Sequence, residues 1–157
     1  MSATVLVNLS SPQWDGVEER VSQAVLATLE VEGRALDNIE VGILLTDDEE
    51  SRGLNLQHRG LDRPANVLSF AMEEGEAFPD PAGGPAPLGD IVIPFETTRA
   101  EATELGVGVE ERLLHLAVHG VLHLLGYDHE RSESEAERQE RRETLILARL
   151  GIADPYG

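Results

Sequence analysis

Cysteine is absent from the 157 residues, and so is lysine. Without thiols the chain can form no disulfide and offer no thiolate, so any ion it holds must be bound by histidine or carboxylate. That composition suits a reducing compartment. No apolar run reaches the ~18 residues that a membrane span needs. The first residues also lack the basic-then-apolar order of a secretory signal. The expectation is a cytoplasmic protein with no membrane partner. Positive charge is scarce, with 12 basic residues against 30 acidic ones and a formal charge of −18. Taken alone, that argues against nucleic acid, because an acidic surface repels a polyanion. All 12 basic residues are arginine. Guanidinium suits bidentate phosphate contacts, although compositional bias explains the absence of lysine more simply. Distribution carries more than the sum. Between residues 51 and 70, Arg52, Arg59, Arg63 and His58 face a single acid, Asp62. It is the one basic island in the sequence.

The length fits one domain, enough to bury about 70% of the surface of the unfolded chain. Alternation over Thr4–Ser10 predicts a first strand, and Ser11-Pro12 supplies cap and first-turn chemistry. Helical spacing from Val17 to Leu29 follows, ending near Gly33. Ile39–Leu45 reads as a second strand, and Thr46-Asp47-Asp48-Glu49 as the capping start of a short helix reaching about His58. Asn66–Met72 and Leu88–Phe95 are the next strands. Residues 73–87 are rich in proline, glycine and acid, which predicts a surface loop, with 75–87 as its variable part. Thr97–Leu105 reads as a modest helix. Glu110–Leu125 is apolar almost all round and therefore buried. Ser132 to Glu135 caps a last amphipathic helix, expected to dock through Leu145, Leu147, Ala148 and Leu150 and to carry exposed pairs such as Glu137 and Arg141. No repeat is visible. The fold class is α+β: a single domain over residues 1–157, with about four strands in one mixed sheet, helices packed on it, and the histidine helix central.

Of five histidines, four fall between His115 and His129. His119 and His123 lie one above the other on a helix face, about 6 Å apart along the axis. Gly126 can take a left-handed exit and turn His129 back toward them. Burying several imidazoles among leucines leaves ring nitrogens that cost roughly 1–3 kcal/mol each when unmet. One divalent ion satisfies three at once. His115 extends the same row but sits about 12 Å along the axis from His123. Both could reach one ion only in a nearly straight line, so His115 is placed against a ligand or the substrate, or is structural. The expected ligands to one Zn²⁺ are His119, His123 and His129, with water in the fourth position.

The spacing matches the H-x-x-x-H-x-x-G-x-x-H ligand pattern of metzincin proteases, with one departure. Gly120 stands where those enzymes carry the glutamate that activates water. That counts against proteolysis, and it suggests open space beside the metal for a bulkier substrate.

The run from His115 through Val118-His119-Gly120, Leu122-His123-Leu124-Leu125-Gly126-Tyr127-Asp128-His129 resembles the signature of the YbeY family of bacterial rRNA maturation endoribonucleases. Leu54-Asn55, Arg59, Asp62, Pro64 and Asn66-Val67-Leu68-Ser69-Phe70 are similar to its second motif. Leu88-Gly89-Asp90-Ile91-Val92-Ile93 is similar to a third, and Asp154-Pro155-Tyr156 to its usual ending. Ala65, His58 and Gln139 depart from the threonine, aromatic and methionine common in the family. The resemblance implies a zinc-dependent, single-strand-specific endoribonuclease acting in 16S rRNA 3′-end processing and ribosome quality control. RNA and the ribosome or its proteins would be its partners. The resemblance also carries over Arg59 as catalytic. The residues agree, since Arg59 lies in the basic island, where its donor fork could hold a phosphodiester. Its plainer role is a surface ion pair with Asp62. Asp128 is expected to orient an imidazole or meet substrate. Two other classes stay open: a metallopeptidase-like hydrolase, and a non-enzymatic ribosome-assembly factor with structural zinc.

Overall fold

Alternating apolar residues set the sheet in the computed structural model, which describes residues 2–72, 84–128 and 130–156. Strand β1 (Thr4–Leu9) pairs in parallel with β2 (Ile39–Thr46), and β2 in parallel with β4 (Ala86–Pro94). The short β3 (Leu68–Ala71) closes the other edge, antiparallel to β4, in the order β1-β2-β4-β3. The sheet is mixed and four-stranded. Ile39, Val41, Ile43 and Leu45 of β2 point to one face and are buried with Ile91 and Ile93 of β4. Two-residue periodicity thus becomes a single apolar layer.

Helices α1 (Glu18–Val31), α3 (Phe95–Leu105), α4 (Val109–Leu124) and α5 (Glu133–Arg149) build on that layer. Helix α4 touches α1, α3, α5, β3 and β4, so it occupies the middle of the molecule. Leu113, Leu114, Val118, Val121 and Leu122 are wholly buried on it. Each large apolar side chain so buried stabilises by about 1.5–3 kcal/mol. The helix ends where expected: Gly126 sits at φ +105, and Tyr127 N–H donates to the Leu122 carbonyl at 3.1 Å. The Tyr127 hydroxyl then donates to Glu32 at 2.6 Å, while the Arg138 guanidinium lies 4.6 Å from the ring centre. These contacts pin the turn after α4 to α1 and α5.

Several sequence expectations need correction. Residues 73–83 of the expected loop lie outside the described residues, but Ala86 and Pro87 open β4. Pro87 is tolerated at a strand start, and the β2 register shifts immediately after its partner Glu40. Asn66 and Val67 precede β3 rather than belonging to it, because the Asn66 amide donates to Glu101 at 3.1 and 3.3 Å. Phe95 starts α3 instead of ending β4. The N-cap of helix α2 (Asp48–Arg59) is Asp47, accepting from Glu50 N–H at 2.9 Å, one residue beyond Thr46. On α5, Gln139, Glu143, Ile146 and Leu147 are buried, whereas Leu145 and Ala148 are exposed. Its exposed ion pairs include Glu135–Arg138 at 3.8 Å and Arg149–Glu30 at 3.5 Å, and Glu137 and Arg141 form none among the described residues.

Gly120 has a different explanation from the expected one. A Cβ there would stand 3.0 and 3.1 Å from Ile91 side-chain carbons and 3.2 Å from Ser69 Oγ. Ser69 Oγ also donates to the Gly120 carbonyl at 3.3 Å. The space beside Gly120 is filled by β3 and β4, not left open for substrate. Glycine lets the central helix lie close against the sheet, and any larger side chain would require Ile91 and Ser69 to give way by a few tenths of an ångström.

Candidate metal centre and its cavity

A cavity of about 770 Å³ separates α4 from the end of α2 and the segment that follows it. One wall carries Arg112, His115, His119 and His123, and the other His58, Arg59 and Arg63. The second wall is built by two buried polar residues of α2. Ser51 Oγ donates to the Ala65 carbonyl at 2.9 Å and accepts from Ala65 N–H at 3.1 Å, and Asn55 Nδ2 donates to the Arg63 carbonyl at 2.8 Å. The basic island is thereby folded back over the histidine helix.

Glu143, a residue of α5 whose side chain is 1% exposed, organises the imidazoles. His119 Nδ1–H donates to its Oε2 at 2.8 Å, and His115 Nε2–H to its Oε1 at 2.7 Å. The Tyr156 hydroxyl donates to Oε1 as well, at 2.5 Å. Burial alone would push this carboxyl up; the hydrogen bonds from His115, His119 and Tyr156 outweigh it and hold the pKa at about 2. Burial and the anion beside it push the Tyr156 phenol upward. Arg112 continues the chain of contacts, donating to His115 Nδ1 at 3.0 Å and to Glu101 Oε1 at 2.8 Å. Glu101 in turn receives Asn66.

These bonds assign the tautomers. His115 accepts at Nδ1 and donates at Nε2, so both nitrogens are engaged within the fold. His119 donates at Nδ1, which leaves Nε2 as its lone-pair nitrogen. A carboxylate behind an imidazole in this way fixes the ring and raises its basicity as a ligand. His123 lies one helical turn further along the same cavity wall. His129 lies outside the described residues. Among the described residues, no group of three His, Cys, Asp or Glu side chains is placed to hold an ion.

Asp128 is taken up locally: its Oδ1 accepts from Glu130 N–H at 3.0 Å, and its Oδ2 lies 3.9 Å from Arg131. Nor does Arg59 pair with Asp62. That carboxylate is held by Arg52 at 2.6 and 3.1 Å. Among the described residues no carboxylate pairs with Arg59 or Arg63, and both are exposed at the cavity.

Sequence reasoning missed Glu143, Tyr156 and Arg112. A signal for Glu143 existed: with Gln139, Ile146 and Leu147 it completes an i, i+4, i+7, i+8 stripe, where a lone acid needs a partner. Gln139 is the weak point of that stripe. Fully buried, its Nε2 donates to the His119 carbonyl at a long 3.3 Å, while no donor reaches its Oε1 among the described residues. Gln139→Met removes that orphaned acceptor at similar volume. Stability is expected to rise by about 1 kcal/mol, read as a Tm increase of about 2–4 °C. An unchanged or lower Tm would show that the amide's bond to His119 outweighs the orphaned oxygen.

The fold and cavity together define a single-domain α+β protein whose buried central helix presents stacked imidazoles to a cavity with an arginine-bearing wall. The family model described as Endoribonuclease YbeY matches residues 8–151. The chain belongs to that family. A relative from Magnetococcus marinus, named Endoribonuclease YbeY, is 54% identical, across 79% of this chain and 87% of its own length. Another of the same name from Novosphingobium aromaticivorans is 44% identical across 99% of this chain and 98% of its own length. The solution structure of a Thermotoga maritima protein is similar in fold, with a TM-score of 0.60 and 25% identity over 93% of this chain and 91% of that one.

Proposed function

We propose that this chain is a metal-dependent endoribonuclease that cleaves single-stranded RNA, with rRNA processing at the 16S 3′ end and ribosome quality control as its setting. The observation that carries the reading is one cavity lined both by α4 imidazoles and by arginines without carboxylate partners among the described residues. The relatives' names supply the reaction class.

The donor set fits a divalent ion that prefers nitrogen. His119 is held in the tautomer that coordinates through Nε2, His123 stands one turn away, and no cysteine is available to compete. His119, His123 and His129 are the proposed ligands, and Zn²⁺ the proposed ion. Bound there, the ion supplies Lewis acidity to a phosphoryl oxygen and to water. The remaining chemistry belongs to the side chains. Arg59 grips the phosphodiester with its fork of donors and offsets charge that grows on phosphate during cleavage. Glu143 keeps His119 from rotating, and Arg112 does the same for His115 through Nδ1. The ribosome or ribosomal proteins are proposed partners, and the cytoplasm the proposed compartment; no described helix is long and apolar enough to cross a membrane.

The test is a cleavage assay on metal-loaded and chelator-treated protein, with single-stranded RNA, duplex RNA and a denatured protein as substrates. Cleavage is expected of single-stranded RNA only, lost on chelation and restored by zinc. Cleavage of the denatured protein would favour a metallopeptidase-like hydrolase. Intact RNA, together with unfolding on chelation, would favour an assembly factor with structural zinc.

A further inference from the structure

The arginine wall of the cavity carries a feature that phosphate binding does not use. His58, exposed in the last turn of α2, packs its ring against Phe70 of β3, with ring centres 4.8 Å apart and planes tilted by 57°. Among the described residues no hydrogen bond reaches the His58 imidazole. An exposed imidazole with no polar partner among the described residues, braced by a second ring tilted against it, is a preformed aromatic surface. Its backbone neighbour is Arg59, and Arg63 lines the same cavity.

We infer that His58 and Phe70 form a nucleobase-stacking subsite, which seats one base of a single strand while Arg59 and Arg63 hold the adjoining phosphates. The inference rests on the ribonuclease reading and extends it to how the strand is gripped. His58, Arg59 and Arg63 line the same cavity, so a base on the ring and phosphates on the guanidinium groups can belong to one strand. Every nucleobase has a face that stacks on an aromatic ring, so such a subsite is tolerant of sequence. It also requires an unpaired, splayed base, which a duplex does not present. An acidic peptide would satisfy the arginines and leave the rings unused, so RNA is the favoured occupant. In a chain of net charge −18, stacking adds affinity that charge alone cannot supply.

The subsite is tested by fluorescence anisotropy with a 2′-O-methylated single-stranded RNA, which binds without being cut, and with a series carrying one abasic position. His58→Ala is expected to weaken binding roughly tenfold. His58→Phe, which keeps a ring, is expected to bind at least as tightly as the wild type. One abasic position should weaken wild-type binding by a similar factor and leave His58→Ala unaffected. Thermal melts of the variants verify that this surface residue leaves the fold intact. Unchanged affinity in His58→Ala, equal weakness in the phenylalanine variant, or penalties that multiply would each overturn the subsite while leaving RNA binding standing. Competition by a polyglutamate peptide as strong as by RNA would overturn it in favour of a protein partner. Wild-type protein that binds no RNA at all would overturn the ribonuclease reading with it.

Discussion

His123→Ala is expected to yield a folded protein that retains no stoichiometric metal and leaves single-stranded RNA uncut. His123 stands in the last turn of α4 on the wall of the cavity, half-buried, so its truncation opens no hole in the core. Alanine is also the better helix former. What disappears is a proposed direct ligand. Losing a residue that merely supports a ligand costs about 10–100-fold in metal affinity; losing the ligand itself exceeds that. Metal content by mass spectrometry, RNA cleavage and the far-UV melt form the check. A variant that still carries one zinc per chain and cuts RNA would remove His123 from the centre.

Arg59→Glu is expected to separate the two losses: zinc stays, and cleavage falls by at least about 100-fold, the scale set by loss of one charge-stabilising donor. Arg59 is the last residue of α2, exposed and without a carboxylate partner among the described residues. Reversing its charge sets an anion against the helix C-terminus at a cost of about 0.3–1 kcal/mol, too little to unfold the domain. Arg52 provides the contrast. Its bidentate bond to Asp62 raises the guanidinium and lowers the carboxyl, and it lies outside the cavity lining. Arg52→Ala should therefore leave cleavage within a few-fold of wild type. If the two variants behave alike, net charge rather than a specific phosphate contact governs the reaction.

The parts of this molecule that local chemistry dictates were legible in its sequence. Helix α4 begins after Gly108 and leaves through Gly126, within one residue of the sequence reading, because a buried helix and its glycine exit are written in consecutive residues. The stacking of His119 over His123 followed from the helical repeat, and the basic island from composition. What the sequence concealed was non-local. Gly120 answers to Ile91 and Ser69, residues of two strands that only the sheet brings beneath the helix. Glu143 is 24 residues from His119, and although the apolar stripe of its helix marks it for burial, nothing local says which side chains it meets. Arg52, rather than Arg59, takes Asp62 because the turn after α2 sets which guanidinium meets it.

The bridge from Glu143 to His119 and His115 has a consequence for assembly order. The imidazoles lie on α4 and the carboxylate that orients them on α5, so synthesis delivers the histidines first. A growing chain that has completed α4 holds the rings without their anchor. The proposed centre gains its Glu143 bridge only when α5 has been made and packed. The orienting bridge is thus among the last parts of the site to be synthesised, after all four strands and the arginine-bearing end of α2.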